Sequence, residues 1–208
     1  MEGTNLRNII IVGPSRSGKS TLAKRISDEL NYYVISIDKL VAVFQNSYPQ
    51  LDIRLNWNRD KTTENIAPFL GHYLGMFSSA DGRGLLEYSH GANGSTGFVM
   101  EGAYYDFDQI ESVLKSYGIE EAKDRFVLIG LIQSKKSANE FFDDFRKYDT
   151  AEDWTFSLDD NELRAVAEDA VSFNEDMYKL LSSHGFEVFD TSTDREKVFD
   201  EIIEWLRK

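Results

Sequence analysis

Short, unbroken apolar runs alternate along this chain with stretches whose apolar residues recur every three or four positions. Asn8–Val12 is a continuous β-branched run, the pattern of a strand buried on both faces of a parallel sheet. Tyr32–Ile37, Phe98–Met100, Phe126–Ile132 and Phe186–Phe189 read as four further strands. Between them, Ser20–Leu30 carries Leu22, Ile26 and Leu30 on one stripe, which predicts an amphipathic helix. Asp106–Tyr117 reads as a second helix stopped at Gly118. Glu162–Leu181 places Leu163, Val166, Ala170, Phe173, Met177 and Leu181 at helical spacing. A last helix opens with Thr193 and Glu196, the spacing of a capping box, and carries Val198, Ile202 and Leu206 as its apolar stripe.

Strands that alternate with helices imply parallel pairing through right-handed crossovers. The expected architecture is therefore α/β: a doubly wound, five-stranded parallel sheet with flanking helices, in one domain over residues 1–208. Two excursions are too long for single crossovers, residues 38–97 and residues 133–185. Such insertions emerge beside the carboxyl ends of the strands, where ligands bind in this architecture. They predict an acceptor region over about 38–97 and a lid over about 133–160. Residues 135–160 are largely polar, with acids at Asp143, Asp144, Asp149, Glu152 and Asp153, so a mobile lid is expected there. Phe141, Phe142 and Phe145 share a helical face and are expected to be core.

The first strand runs into Gly13-Pro14-Ser15-Arg16-Ser17-Gly18-Lys19-Ser20-Thr21, which satisfies G-x-x-x-x-G-K-[ST] between a strand and a helix. The two glycines let the backbone wrap a phosphate, so that successive N–H groups point inward at a helix N-terminus. In such loops the lysine, here Lys19, reaches the β- and γ-phosphates, and the hydroxyl of Ser20 ligates Mg²⁺. Residues 13–21 are thus the predicted ATP-binding segment, with Lys19 expected to be exposed and Arg16 directed either to phosphate or to solvent.

Composition narrows the class. There is no cysteine in 208 residues, which excludes disulfide scaffolds, thiolate zinc sites and thiol catalysis. The three histidines, His72, His90 and His184, are scattered, and neither His72 nor His90 has a visible partner. A net charge of −13 without any basic run argues against a nucleic-acid partner and a membrane surface. The longest apolar runs are strand-sized, far short of a membrane span. The N-terminus lacks the layout of a secretory signal. A soluble, cytoplasmic protein is the expectation, and nothing in the pattern bears on oligomeric state.

No guanine-reading N-K-x-D and no L-S-G-G-Q-like signature is present. Asp81–Gly84 has the form D-x-x-G but follows no strand. The phosphate loop, Asp38 after the second strand, Glu101 closing the third, and the two excursions together resemble the small P-loop kinases: adenylate, shikimate, gluconate and uridine kinases and the 2-phosphoglycerate-kinase-like group. That resemblance implies ATP and Mg²⁺ as cosubstrate and metal, and a small-molecule acceptor. It implies that Asp38 approaches the acceptor hydroxyl and the metal shell, the other reading of Asp38 being a helix cap for Lys39–Phe44. It implies that Glu101, in Val-Met-Glu-Gly, joins the magnesium shell as in uridine kinases, the other reading being a strand-end carboxylate. It places a lid cation on the transferred phosphoryl group, with Arg146 the first candidate and Lys147 and Lys135 behind it. Arg54 and Arg59, flanking Trp57, would face an anionic group of the acceptor. The loop after the fifth strand, Asp190-Thr191-Ser192, would pass the adenine through backbone atoms. Alternatives from the same residues are a nucleoside or nucleotide kinase, an ATP-dependent switch or assembly factor with a protein partner, and, against the charge, an RNA or DNA end-kinase.

Overall fold

The computed structural model describes residues 7–55, 58–78, 97–151, 153 and 155–208. Its centre is a five-stranded sheet of β1 (Asn8–Val12), β2 (Tyr32–Ser36), β3 (Gly97–Gly102), β4 (Phe126–Ile132) and β5 (Glu187–Asp190), in the order β2-β3-β1-β4-β5. Every pairing is parallel, as the alternating pattern requires. β1 is buried from end to end. Its register pairs Ile11 with Glu101 and Val12 with both Gly102 and Gly130. β1 and β3 therefore end level while β4 runs two residues further, and Glu101 stands beside the exit of β1 into the phosphate loop.

Seven α-helices lie among the described residues: α1 (Lys19–Leu30), α2 (Ile37–Ser47), α3 (Arg59–Ser78), α4 (Phe107–Lys115), α5 (Ala138–Tyr148), α6 (Asp160–Ser183) and α7 (Arg195–Leu206). Side chains of a strand alternate between faces, and β1 divides the core accordingly. Ile9 and Ile11 join Leu22, Ala23 and Ile26 of α1 and Phe199, Ile202 and Ile203 of α7. Ile10 and Val12 join the helices of the other face through Ile37, Val41, Ile66, Leu70, Ile110, Leu114, Met177 and Leu181. Two glycines set the closeness of α3 to α4. A Cβ on Gly71 would stand 2.7 Å from the Val113 side chain, and one on Gly75 would stand 2.3 Å from the Tyr117 ring.

Several expectations are corrected. The second strand ends at Ser36, so Asp38 stands in the first turn of α2 rather than at a strand end; Ser36 is the N-cap position and Asp38 does not cap the helix. Asp194, not Thr193, caps α7, accepting a hydrogen bond from the Lys197 N–H. The buried stripe of α7 runs through Phe199, Ile202 and Ile203, with Val198 and Leu206 only partly buried. The apolar residues of this helix cover more than one stripe, and burial follows the larger Phe199. Phe141 and Phe145 of α5 are buried as expected, packing with Leu163 and Ala167 of α6 in a cluster of their own, with Phe142 at its edge. His72 does have a partner, the Tyr117 hydroxyl at 3.0 Å. His90, Trp57, Glu152, Asp81–Gly84 and the glycine-rich approach to β3 lie outside the described residues, apart from Gly97.

Phe199 is fully buried beneath the phosphate loop, so Phe199→Ala is expected to cost about 3–5 kcal/mol, the range for emptying an aromatic site. Denaturant unfolding monitored by circular dichroism checks this; a loss below about 1 kcal/mol would mean that α7 is not part of the central core.

Candidate active site

The chain leaves β1 at Val12 and must turn back into α1 within six residues, Gly13–Gly18. Gly13 is demanded by approach: a Cβ there would stand 2.1 Å from the Leu131 carbonyl oxygen of β4. Gly18 is demanded by conformation, with φ of +96° at the head of α1. Between them the Pro14 carbonyl is an internal hub. It accepts the Ser17 hydroxyl at 2.9 Å and the Lys19 ammonium at 2.7 Å. The loop is also braced from outside. The Thr191 hydroxyl, just past β5, lies 2.9 Å from the Ser17 carbonyl and 3.1 Å from that of Ile132. Arg195, at the start of α7, donates from Nη2 to the Arg16 carbonyl at 3.1 Å.

Lys19 is buried, at 8% exposure, and not exposed as its position at a loop–helix junction suggested. Burial pushes its pKa down to about 8, against the opposing fields of Asp38 and Glu101, while Arg59 adds to the fall. Burial also raises the Asp38 carboxyl; Lys19 and Arg59 pull it back and Glu101 pushes it further up. Arg59 is held beside them at the start of α3, where Nη2 donates to the Ala103 carbonyl at 3.1 Å and the guanidinium lies 4.3 Å above the Phe173 ring. Its own pKa is lowered by burial. Glu101, 3% exposed at the end of β3, accepts a hydrogen bond from the Ser20 hydroxyl at 3.0 Å. Two cations and two carboxylates from four elements thus share one low-dielectric site, each within the field of the others.

An open cavity of about 660 Å³ adjoins this cluster, lined among others by Arg16, Lys19, Ser20, Lys136, Thr191 and Arg195. Ser20 and Glu101 suit a magnesium ion. Both offer hard oxygens, and their 3.0 Å separation equals the spacing of neighbouring ligands around an octahedral centre with bonds of about 2.1 Å. Among the described residues no group of three or more acidic or imidazole side chains forms a cage. A magnesium ion here would take its remaining ligands from phosphate and water.

The predicted residues do not all converge. Gly13–Thr21, Asp38, Arg59 and Glu101 come together. Arg54 is exposed and paired with Asp52 at 2.7 Å. Arg146 is tied to Asp160 at 2.6 Å and to the Leu158 carbonyl at 3.0 Å, and it is not among the cavity's lining residues. Lys136 does line the cavity, where it pairs with Asp144 of α5. The sequence reading overlooked the side chains of Thr191 and Arg195. A hydroxyl directly after the last strand of the sheet was the available signal for the first. Arg195 carried none, because its role depends on how α7 meets the loop.

No protein-family model matches the chain. It is similar to shikimate kinase from Bacteroides thetaiotaomicron, with a TM-score of 0.60, 15% identity, and coverage of 97% of this chain and 99% of that one. It is likewise similar to shikimate kinase from Acinetobacter baumannii in complex with shikimate, with a TM-score of 0.53, 12% identity, and coverage of 97% and 93%. In sequence, 98 residues are 26% identical to the pentafunctional AROM polypeptide of Schizosaccharomyces pombe; the match covers 46% of this chain and 6% of that much longer protein. The fold, five parallel strands with helices on both faces, is shared with these shikimate kinase structures. No helix among the described residues is long and apolar enough to cross a membrane.

Burying the ammonium has a cost that can be read in stability. Between pH about 8 and 10.5 the unfolded chain holds the Lys19 proton and the folded chain releases it, so stability rises with pH across that window. Below it the full cost is present. Lys19→Met, which keeps volume without charge, is therefore expected to stabilise the protein at pH 7 by about 1–3 kcal/mol. The advantage should shrink as pH passes through 8 to 10.5. Chemical denaturation at pH 7 and pH 10 checks the sign; a variant less stable than wild type at pH 7 would show that the ammonium is held favourably.

Proposed function

We propose that this protein is an ATP-dependent phosphotransferase that moves the γ-phosphate of ATP onto a hydroxyl of a small-molecule acceptor. The observation that carries the reading is the meeting of Asp38 with Lys19, Ser20 and Glu101 at the carboxyl ends of β1 and β3. A nucleotide-binding loop needs only Lys19 and Ser20; a buried carboxylate beside them is what transfer to a hydroxyl requires. The likeness of the fold to shikimate kinases supports the same reading as an analogy.

In this account the amides of residues 13–21 and the Lys19 ammonium hold the β- and γ-phosphates. Phosphate oxygens take the place of the Pro14 carbonyl as the ammonium's acceptor. Ser20 and Glu101 hold a magnesium ion, which when bound screens the phosphate charge and fixes the phosphate geometry. Asp38 accepts the hydrogen bond of the acceptor hydroxyl and aims its oxygen at the γ-phosphorus. As the new O–P bond forms and the bond to the leaving ADP breaks, the hydroxyl proton passes to Asp38. A pKa raised by burial makes this carboxylate a more effective late proton acceptor than a solvated aspartate. Arg59, buried next to Asp38, suits a carboxylate or phosphate on the acceptor. Arg54 faces solvent beside Asp52, so any contact it makes with the acceptor lies at the rim.

Asp38→Asn is expected to leave ATP affinity within a few-fold and to reduce turnover by on the order of 10²–10⁴, the usual loss for a positioned acid–base group. The acceptor comes from a thermal-shift screen of hydroxylated carboxylates and phosphates with a non-hydrolysable ATP analogue and Mg²⁺. A true acceptor raises the midpoint beyond the nucleotide alone. Full turnover in Asp38→Asn with that acceptor would remove the catalytic role, and the absence of any nucleotide-dependent shift would remove the reading itself.

A further inference from the structure

The lid cation expected at Arg146 is committed elsewhere, to Asp160 and the Leu158 carbonyl. Another arginine does line the phosphate cavity. Arg16 sits inside the phosphate loop with φ of +64°, a left-handed conformation that costs an ordinary residue about 1–2 kcal/mol. Strain of that kind persists where the surroundings over-determine it, and functional sites are where it concentrates. Arg195 holds the strained peptide through its hydrogen bond to the Arg16 carbonyl at 3.1 Å.

The Arg16 guanidinium leaves the loop toward the segment after α5. There it forms an ion pair with Asp149, whose side chain is only 4% exposed, and lies 3.3 Å from Asp153. The Phe145 ring lies 5.8 Å from it. Both carboxylates are positioned by their own segment. Asp153 accepts from the Thr150 N–H at 2.8 Å and the Thr150 hydroxyl at 3.0 Å, and Asp149 accepts the Thr155 hydroxyl. Together they form a counter-ion that is tied into its own segment by Thr150 and Thr155 as well as by Arg16.

Resting on the phosphotransferase reading above, we propose that Arg16 is the cation that meets the transferred phosphoryl group, and that Asp149 with Asp153 is a decoy anion that holds it away until nucleotide arrives. A polyphosphate bound by the same loop would bring several anionic oxygens into the cavity that Arg16 lines, in competition with this carboxylate pair. Exchange of partner releases Asp149 and Asp153 from the loop at the moment the phosphates are engaged. The arrangement couples occupancy of the loop to the release of these two carboxylates, and it moves the usual lid cation into the loop itself.

The test uses the full chain with three probes: a non-hydrolysable ATP analogue with Mg²⁺, ADP with aluminium fluoride and Mg²⁺ as a mimic of the transferring group, and acceptor-free release of phosphate from ATP. Arg16→Gln should lose on the order of 10²-fold in affinity for the aluminium fluoride complex and a similar factor in phosphate release, with the analogue's affinity within a few-fold. Arg16→Lys should recover part of the loss. Asp149→Asn should act in the opposite sense, tightening analogue binding by roughly 3–10-fold because a competing anion is gone. Asp153→Asn should do the same more weakly, and it repeats the test should Asp149→Asn fold poorly. If the Arg16 and Asp149 variants instead weaken all three readouts together, the pair is a fixed tie and the inference falls while the phosphotransferase reading stands. If wild-type protein binds neither nucleotide complex, both fall.

Discussion

A lysine ammonium with almost no access to water is the constraint on which the site depends. Left alone in a dry environment, it would lose its proton or unfold its surroundings. Asp38 and Glu101 keep it charged, and both reach it only because of where the strands of the sheet end. Glu101 arrives because the register of β1 and β3 brings their carboxyl ends level. Asp38 arrives because β2 ends at Ser36 and α2 begins at once, with no connecting loop. Arg59, from α3, balances the second carboxylate. The site is a charge arrangement that only the assembled sheet can hold, and its tension is relieved by bringing in further negative charge.

The rest of the fold keeps that arrangement stiff. The phosphate loop would be free to collapse around Lys19 if it hung only from β1 and α1. Instead the Leu131 backbone limits it at Gly13, Thr191 reaches the Ser17 carbonyl, and Arg195 reaches the Arg16 carbonyl. These contacts come from β4, the β5 exit and α7, elements that contribute nothing to the phosphate-loop motif. The α5–α6 pair has its own apolar cluster, and the segment that follows α5 meets the loop through the Arg16 ion pairs. The α5–α6 pair is thus a packed element, where the run of acids taken alone suggests a polar segment.

Much of this was legible in the sequence where a residue's role is local. The β-branched run of β1, the glycine spacing of the loop and the apolar periods of α1 and α6 are short-range patterns, and they led directly to the sheet and to the loop at its carboxyl edge. Asp38, Glu101 and Arg59 were named as candidates as well, and they lie together because residues at strand ends and in long crossovers gather there in any doubly wound sheet. The failures share one cause. Whether Lys19 is dry, whether Arg146 faces Asp160 or a ligand, and what Thr191 touches are set by tertiary packing between distant segments. Thr193 failed for a different reason, since Thr193 and Asp194 are both good caps and the choice rests on where the first turn of α7 begins.

Calorimetric titration of the protein with ATP–Mg²⁺ at pH 7 and pH 9, in buffers of different ionisation enthalpy, tests the buried ammonium most directly. With Lys19 titrating at about 8 in the free protein, binding polyphosphate at pH 9 should draw in about 0.9 of a proton, and at pH 7 close to none. Lys19→Met should abolish the uptake together with the binding. Binding at pH 9 whose enthalpy is the same in every buffer would mean that no lysine in this site is neutral before nucleotide arrives, and would contradict the account.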